Sequence, residues 1–174
     1  MKTLPRLSLH SRAYVILFVC LSVPLIATWY LVRYVNQNIF YSQKESHLMS
    51  MAQILDTRLS DGGYDAILRD AGALTATREQ KIAVLNEALR GDTDEIASVS
   101  AGLGIGVYSR ELDAILTYGP SGSFQNTVGS PISETHPGRL VMAENRRMVS
   151  MGTMVRGNIM NAMFPVVRGG AVIG

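Results

Sequence analysis

Cysteine is nearly absent from this 174-residue sequence, and its scarcity limits the chemistry that the chain can perform. The one cysteine, Cys20, lies inside an apolar run, so the residues that follow this run contain no thiol. A disulfide framework, a thiol nucleophile and a cysteine-based metal site are therefore excluded from residues 33–174. That part of the chain must be stabilised by the burial of apolar side chains.

Recognisable catalytic motifs are also lacking. The sequence contains no G-x-x-x-x-G-K-[ST], H-E-x-x-H or G-x-S-x-G segment, and the GLGIG stretch has Val107 where a dinucleotide fingerprint needs its third glycine. The three histidines, His10, His47 and His136, lack the helical spacing of paired metal ligands. No dense basic patch suggests nucleic acid. We therefore expect no catalytic residues, no metal site, no cofactor and no nucleic-acid partner.

Charged residues make up only 17% of the sequence, against about 25% in typical soluble domains, and the shortfall is concentrated in one run. Residues 13–32 carry no charge, and their number matches what a helix needs to cross a bilayer. Trp29 and Tyr30 suit a membrane interface. A cleaved signal peptide would have a shorter apolar region followed by small residues at the cleavage site. The sequence therefore predicts an uncleaved transmembrane helix.

The basic residues around this span are distributed asymmetrically. Residues 1–33 hold four of the 16 basic side chains and none of the 14 acidic ones, and three of these four precede the span. The positive-inside rule then places residues 1–12 in the cytoplasm and the residues beyond the span outside it. The predicted location is the cell membrane, with a single pass.

A stalk helix is predicted to continue directly from the span over residues 33–60. This segment contains no glycine or proline, and Asp61-Gly62-Gly63 should end it. Two interpretations of its apolar stripe stay open: packing into the core of the same chain, or pairing with a second copy as a homodimer. The stripe has helical spacing and consists of Leu48, Met51, Ala52, Leu55 and Leu59.

Residues 61–174 are predicted to form an α+β domain. A capping box begins a helix at Thr77, Gly91 should end this helix, and the acidic residues that follow should form a solvated loop. Residues 136–143 should form a short helix. Pro165 should place its strand at an edge or in a bulge, and Gly169-Gly170 should form a hairpin turn. The expected architecture is one antiparallel sheet of about five strands flanked by helices, with strands within residues 102–109, 113–118, 147–153 and 159–167 and from 171 onward.

Arginines and glycines indicate where a ligand could bind. Residues 145–174 contain four arginines and no acid, which is typical either of a solvated basic surface or of a site for a carboxylate or phosphate. In residues 102–108 one face of the strand is bare glycine except for Tyr108, which leaves room for a ligand or a packed helix. The predicted ligand-binding residues are Tyr108, Tyr118, Arg139 and Arg156.

Three segments resemble the extracytoplasmic sensor segment of bacterial two-component histidine kinases, in particular the acetoacetate-sensing group. They are YSRELDAILTYGPSG (108–122), VGSPISETHPGRLVM (128–142) and MVRGNIMNAMFPVVRGGAVIG (154–174). The resemblance implies one Cache/PAS-like sensor domain over residues 61–174, cut short in its last strand. It also implies a small-molecule ligand, for which a short-chain carboxylate is expected. Neither His47 nor His136 stands in the phosphoacceptor context of such kinases, so no enzymatic role is carried over to this chain.

The leading hypothesis is that the chain is the ligand-sensing portion of a membrane-bound sensor kinase and transmits its signal through the stalk helix. One alternative is a stand-alone, membrane-anchored protein that pairs with a full-length kinase and modulates it. Another is a secreted binding protein released by signal cleavage.

Overall fold

A computed structural model describes residues 9–154 and 157–174, and the chain divides into two compact units, Met1–Lys44 and Glu45–Gly174. Helix α1, Leu9–Arg58, begins in the first unit and ends in the second. Among the described residues it is the one helix long and apolar enough to cross a membrane. Its apolar side chains, such as Phe18 and Leu25, are exposed within the chain, as expected where lipid would surround them.

The second unit combines four more helices with six short strands, so the α+β class is confirmed. The helices are α2 Gly63–Asp70, α3 Arg78–Ser98, α4 Ser121–Phe124 and α5 Pro137–Glu144, with a 3₁₀ turn at Gln125–Thr127. The strands are β1 Ile105–Ser109, β2 Ala114–Gly119, β3 Met148–Met154, β4 Gly157–Met163, β5 Val167–Arg168 and β6 Ala171–Val172.

The strands form three separate antiparallel pairs, β1–β2, β3–β4 and β5–β6, and not the single sheet of about five strands that the sequence suggested. Each pair joins strands that are consecutive in the chain, and the helical segment between β2 and β3 separates the first pair from the second. The predicted strand 159–167 is interrupted between β4 and β5, where Pro165 removes a ladder donor and restricts Phe164. The Gly169-Gly170 turn is confirmed, since both residues have positive φ.

The core lies between α3 and the β1–β2 pair. Val107 pairs with Thr117 and Tyr108 pairs with Ile115, so Leu116 has no partner where the register shifts. This bulge turns two successive side chains inward, and Leu116 and Thr117 are both fully buried. Around them pack the other core residues, which include Leu55, Leu59, Tyr64, Leu68, Ile82, Leu85, Leu89, Ile96 and Ala114.

Helix α3 begins at the predicted capping box, in which Thr77 and Gln80 exchange hydrogen bonds. The predicted end at Gly91 is wrong, because the helix continues to Ser98. The buried side chains Thr93 and Ile96 pack in the core, and this burial offsets the cost of about 1 kcal/mol for glycine inside a helix. The acidic residues after Gly91 therefore lie on a helix and not in a solvated loop.

The stalk stripe packs into the chain's own core at its C-terminal end. Leu55 and Leu59 are only 6% and 7% exposed, and Met51 packs against the same cluster. The core-packing interpretation is therefore confirmed for these residues. A second copy would have to contact α1 through other side chains.

Candidate functional site

Two of the predicted ligand residues, Tyr108 and Arg139, meet at Asp113. Asp113 lies in the turn between β1 and β2 with φ +45°, and its carboxylate accepts hydrogen bonds from the Tyr108 hydroxyl and from Arg139 Nη2, the latter at 3.1 Å. Arg139 also donates to the carbonyl oxygens of Ile132 (2.8 Å) and Ser133 (3.1 Å). Most donors of this guanidinium are therefore already engaged within the fold.

The protonation of this cluster follows from these contacts. Burial and the hydrogen bond to Asp113 raise the pKa of Tyr108 to about 12. The Tyr108 hydroxyl, followed by the Arg139 guanidinium, lowers the pKa of Asp113. Near neutral pH Tyr108 is consequently a phenol and Asp113 a carboxylate.

Tyr118 occupies the glycine face that was expected to be open. It pairs with Gly106 across the strands, and a β-carbon placed on Gly104 or Gly106 would contact its ring. The missing side chains thus accommodate the tyrosine of the neighbouring strand. Arg156, the fourth predicted residue, lies outside the described residues.

A cavity of about 650 Å³ opens elsewhere, beside the C-terminal end of α1. This volume is within the range of small-molecule sites, and the cavity is largely open to solvent. Asn145 ends α5 in a left-handed conformation, with φ +49°, and the next two residues follow this turn into the cavity wall. The lining residues include Asp56, Asn145, Arg146, Arg147, Phe164 and Val167.

The charges around this cavity leave one cation without a carboxylate. Arg146 pairs with Glu144 at 2.8 Å, and Asp56 pairs with Arg168 at 2.8 Å. The Arg147 guanidinium carbon lies 5.2 Å from the centre of the Phe164 ring, in a cation–π contact. Among the described residues no carboxylate lies within salt-bridge distance of Arg147.

Arg168 connects the β5–β6 hairpin to the end of α1. Besides the Asp56 carboxylate, its guanidinium binds the carbonyl oxygens of Asp56 (2.6 Å), Leu59 (3.2 Å) and Ser60 (3.0 Å). The last carbonyl groups of a helix lack intrahelical donors and carry partial negative charge, so a cation stabilises them. We call this set of contacts the Arg168 clamp.

Further contacts join this region to α3 and β1. Arg58 Nη1, in the last turn of α1, binds Asp92 at 2.6 Å and Glu95 at 2.7 Å on α3. The amide of Arg110, just after β1, donates to the carbonyl oxygen of Ile173, just after β6 (2.9 Å). The end of α1 is therefore held on two sides by the folded unit.

The family model of the AtoS N-terminal domain matches residues 10–174. The chain belongs to this family. It is 38% identical over 152 residues to the signal transduction histidine-protein kinase AtoS of Escherichia coli (strain K12). The alignment covers 87% of this chain and 24% of that protein, so the chain spans about a quarter of the length of its relative. No solved structure matches the chain significantly.

Membership of the AtoS N-terminal domain family confirms the resemblance to the sensor segment of two-component kinases. The cavity, by contrast, was missed. The sequence predicted Arg139 and Arg156 as the ligand-binding arginines, yet it is Arg147 and Arg168 that lie near the end of α1. The available signals were the absence of acids after residue 144 and an asparagine directly before Arg146.

Proposed function

We propose that this chain is the signal-input portion of a membrane-bound sensor histidine kinase and that it binds a small anionic metabolite outside the cytoplasm. The sensory role is supported by the family and by the apolar helix α1. The chain contributes detection and transmission, and phosphoryl transfer belongs to the rest of such a kinase.

The cavity beside α1 is the proposed ligand site, in place of the Tyr108–Arg139 cluster. Arg147 would bind the anionic group, because a guanidinium forms paired hydrogen bonds with a carboxylate. The Phe164 ring would contact the apolar portion of the ligand. Together these two side chains suit a short-chain carboxylate.

One observation carries the proposal: Asp56 lines the cavity and is also part of the Arg168 clamp on α1. An anion that enters the cavity approaches this carboxylate, so its binding free energy depends on how Asp56 and Arg168 are placed. A ligand shifts a conformational equilibrium only through a difference in affinity for the two states. The Arg168 clamp supplies such a difference at the point where α1 enters the folded unit.

The ligand part can be tested on the full chain in lipid nanodiscs by calorimetry with acetate, butyrate and acetoacetate. We expect saturable heat with at least one of them and a loss of affinity of about tenfold or more in Arg147→Met, since a charge-assisted hydrogen bond contributes about 1.5–3 kcal/mol. Arg110→Met, at an exposed arginine that does not line the cavity, is the matched control. Absence of heat with every anion, or equal binding by both variants, would contradict the assignment.

Transmission is tested separately by hydrogen exchange of the amides in residues 56–60. Ligand should slow exchange there in the wild type, whereas Arg168→Met should lose this protection even at a ligand concentration that saturates the variant. Protection that persists without Arg168 would show that the signal takes another route.

A further inference from the structure

The β3–β4 pair, which we call the methionine ribbon, is unusually rich in thioethers. Five of the nine methionines of the chain lie between residues 148 and 163. Within each strand they recur at every third position. They are Met148, Met151 and Met154 in β3, and Met160 and Met163 in β4.

The strand register brings four of these residues together as two pairs. Met148 lies directly opposite Met163, and Met151 lies directly opposite Met160. The β-carbons of directly opposed residues are about 4.5–5.5 Å apart, so two flexible methionine side chains can bring their sulfur atoms to one ion. Because side chains alternate along a strand, the two pairs lie on opposite faces of the ribbon.

Burial distinguishes these pairs from methionines that fill gaps in a core. All four paired residues are at least partly accessible, and Met151 is 56% exposed. None of the four is buried to the extent of Leu85 or Leu116 in the main core, which are both 0% exposed. The four side chains are therefore not fixed in a closed core, and their sulfur atoms can be reached from solvent.

The residue types near these pairs also limit which kind of metal ion could bind. Residues 148–163 contain no histidine, cysteine, aspartate or glutamate. Within the part of the chain that the structure describes, no group of three such residues is placed to hold a metal. Hard and borderline cations therefore lack their preferred ligands here, whereas thioether sulfur is a soft donor that suits Cu(I).

We infer that the methionine ribbon binds soft monovalent cations of the Cu(I) class, one at the Met148–Met163 pair and one at the Met151–Met160 pair. Each ion would take two thioether ligands, with solvent free to complete the coordination. Binding changes no oxidation state and releases no proton, because a thioether carries none. Met148 and Met163 adjoin the cavity-lining residues Arg147 and Phe164 in the sequence, but no methionine among the described residues lines the cavity. The inference therefore does not depend on the proposed function.

The test uses Ag(I), a probe of the same class that does not redox-cycle, added as the nitrate to the full chain in detergent without chloride. All samples carry Cys20→Ser, which removes the competing thiol. We expect two Ag(I) ions per chain by calorimetry and shifted methyl resonances for four ¹³C-labelled methionines. The affinity should be equal at pH 5 and pH 7, whereas binding to histidine would weaken as the imidazole gains a proton.

Methionine-to-leucine variants distinguish the effect of the thioether sulfur from the effect of side-chain volume, since leucine and methionine have similar volumes. Met148→Leu/Met163→Leu and Met151→Leu/Met160→Leu should each lower the stoichiometry from two to one, and the fourfold variant should bind none. Met49→Leu/Met51→Leu on α1 is the control and should still bind two. No uptake by the wild type, or equal uptake by the double variants, would overturn the inference. The double variants keep this test decisive if the fourfold variant does not fold.

Discussion

At the scale of single residues, the hydrogen bond between Tyr108 and Asp113 sets the acidity of the phenol. Asp113→Asn removes the carboxylate and keeps a residue that tolerates positive φ. We expect the pKa of Tyr108 to fall from about 12 while staying above its ordinary value of 10, because burial, the larger cause, persists. Tyrosine ¹³C NMR titration measures this pKa. An unchanged value would mean that Asp113 does not hold the phenol in solution.

The lowered pKa values of three carboxylates predict how the free energy of unfolding changes at acidic pH. The pKa values of Asp94, Glu95 and Asp113 are lowered, chiefly by hydrogen bonds from Ser121, Arg58 and Tyr108 respectively. The unfolded chain therefore takes up protons first as the pH falls. These groups contribute their full stability above their ordinary pKa values and lose it as the pH falls through the lowered ones.

The urea midpoint should accordingly be constant near neutral pH and decrease below about pH 4, near the ordinary pKa values of Asp and Glu. Asp94→Asn should weaken this acid dependence, because Asp94 accepts hydrogen bonds from the amide (2.6 Å) and the hydroxyl (2.7 Å) of Ser121. Asp61→Asn, at an exposed turn, is the control. Equal acid profiles for Asp94→Asn and wild type would refute the assigned role.

At the scale of elements, Gly91 tests whether α3 is continuous. It lies in the middle of α3, is exposed, and a β-carbon there would meet no atom within 4 Å. Gly91→Ala should raise the free energy of unfolding by about 0.5–1 kcal/mol, because alanine has the higher helix propensity. Chemical denaturation measures this change. Destabilisation would indicate that the helix ends at Gly91.

Gly119, unlike Gly91, has no room for a side chain, because it lies where α3 packs on β2. A β-carbon there would overlap the main-chain carbonyl of Thr93, and backbone atoms cannot move aside as a side-chain end can. Gly119→Ala should therefore cost about 3 kcal/mol, at the upper end of overpacking. Gly122→Ala is the matched control, since nothing lies within 4 Å of its β-carbon position. Similar stabilities of the two variants would contradict this packing.

These elements show which information was local to the sequence. Thr77 with Gln80, the alternation in β1 and Gly169-Gly170 are short-range signals, and each was predicted in the right place. The prediction that α3 ends at Gly91 was wrong because the burial of Thr93 and Ile96 against β2 outweighs the low helix propensity of glycine. The cavity beside α1 was missed, since it joins Asp56 to Arg147 and Phe164 across about 90 positions or more of chain, and the local signals in residues 145–174 do not show which distant residue completes it.

At the scale of the whole molecule, α1 supplies both the apolar segment and, at its C-terminal end, part of the core of the folded unit. The helix ends within the folded unit at the Arg168 clamp, and Arg58 ties its last turn to α3. In the proposed mechanism, a ligand near Asp56 would act on the same helix that carries the candidate membrane span. We propose that the folded unit and its cavity lie outside the cytoplasm.

The orientation can be measured with single cysteines in a Cys20→Ser background. Three basic residues precede the span, so residues 1–12 should stay in the cytoplasm and Glu45–Gly174 should be outside. A membrane-impermeant maleimide should label Gly122→Cys in intact spheroplasts, because this position is exposed and open. Thr3→Cys should react only after lysis. The reverse pattern would place the cavity in the cytoplasm and remove the basis for an external ligand, whereas binding of Ag(I) by the methionine ribbon would be unaffected.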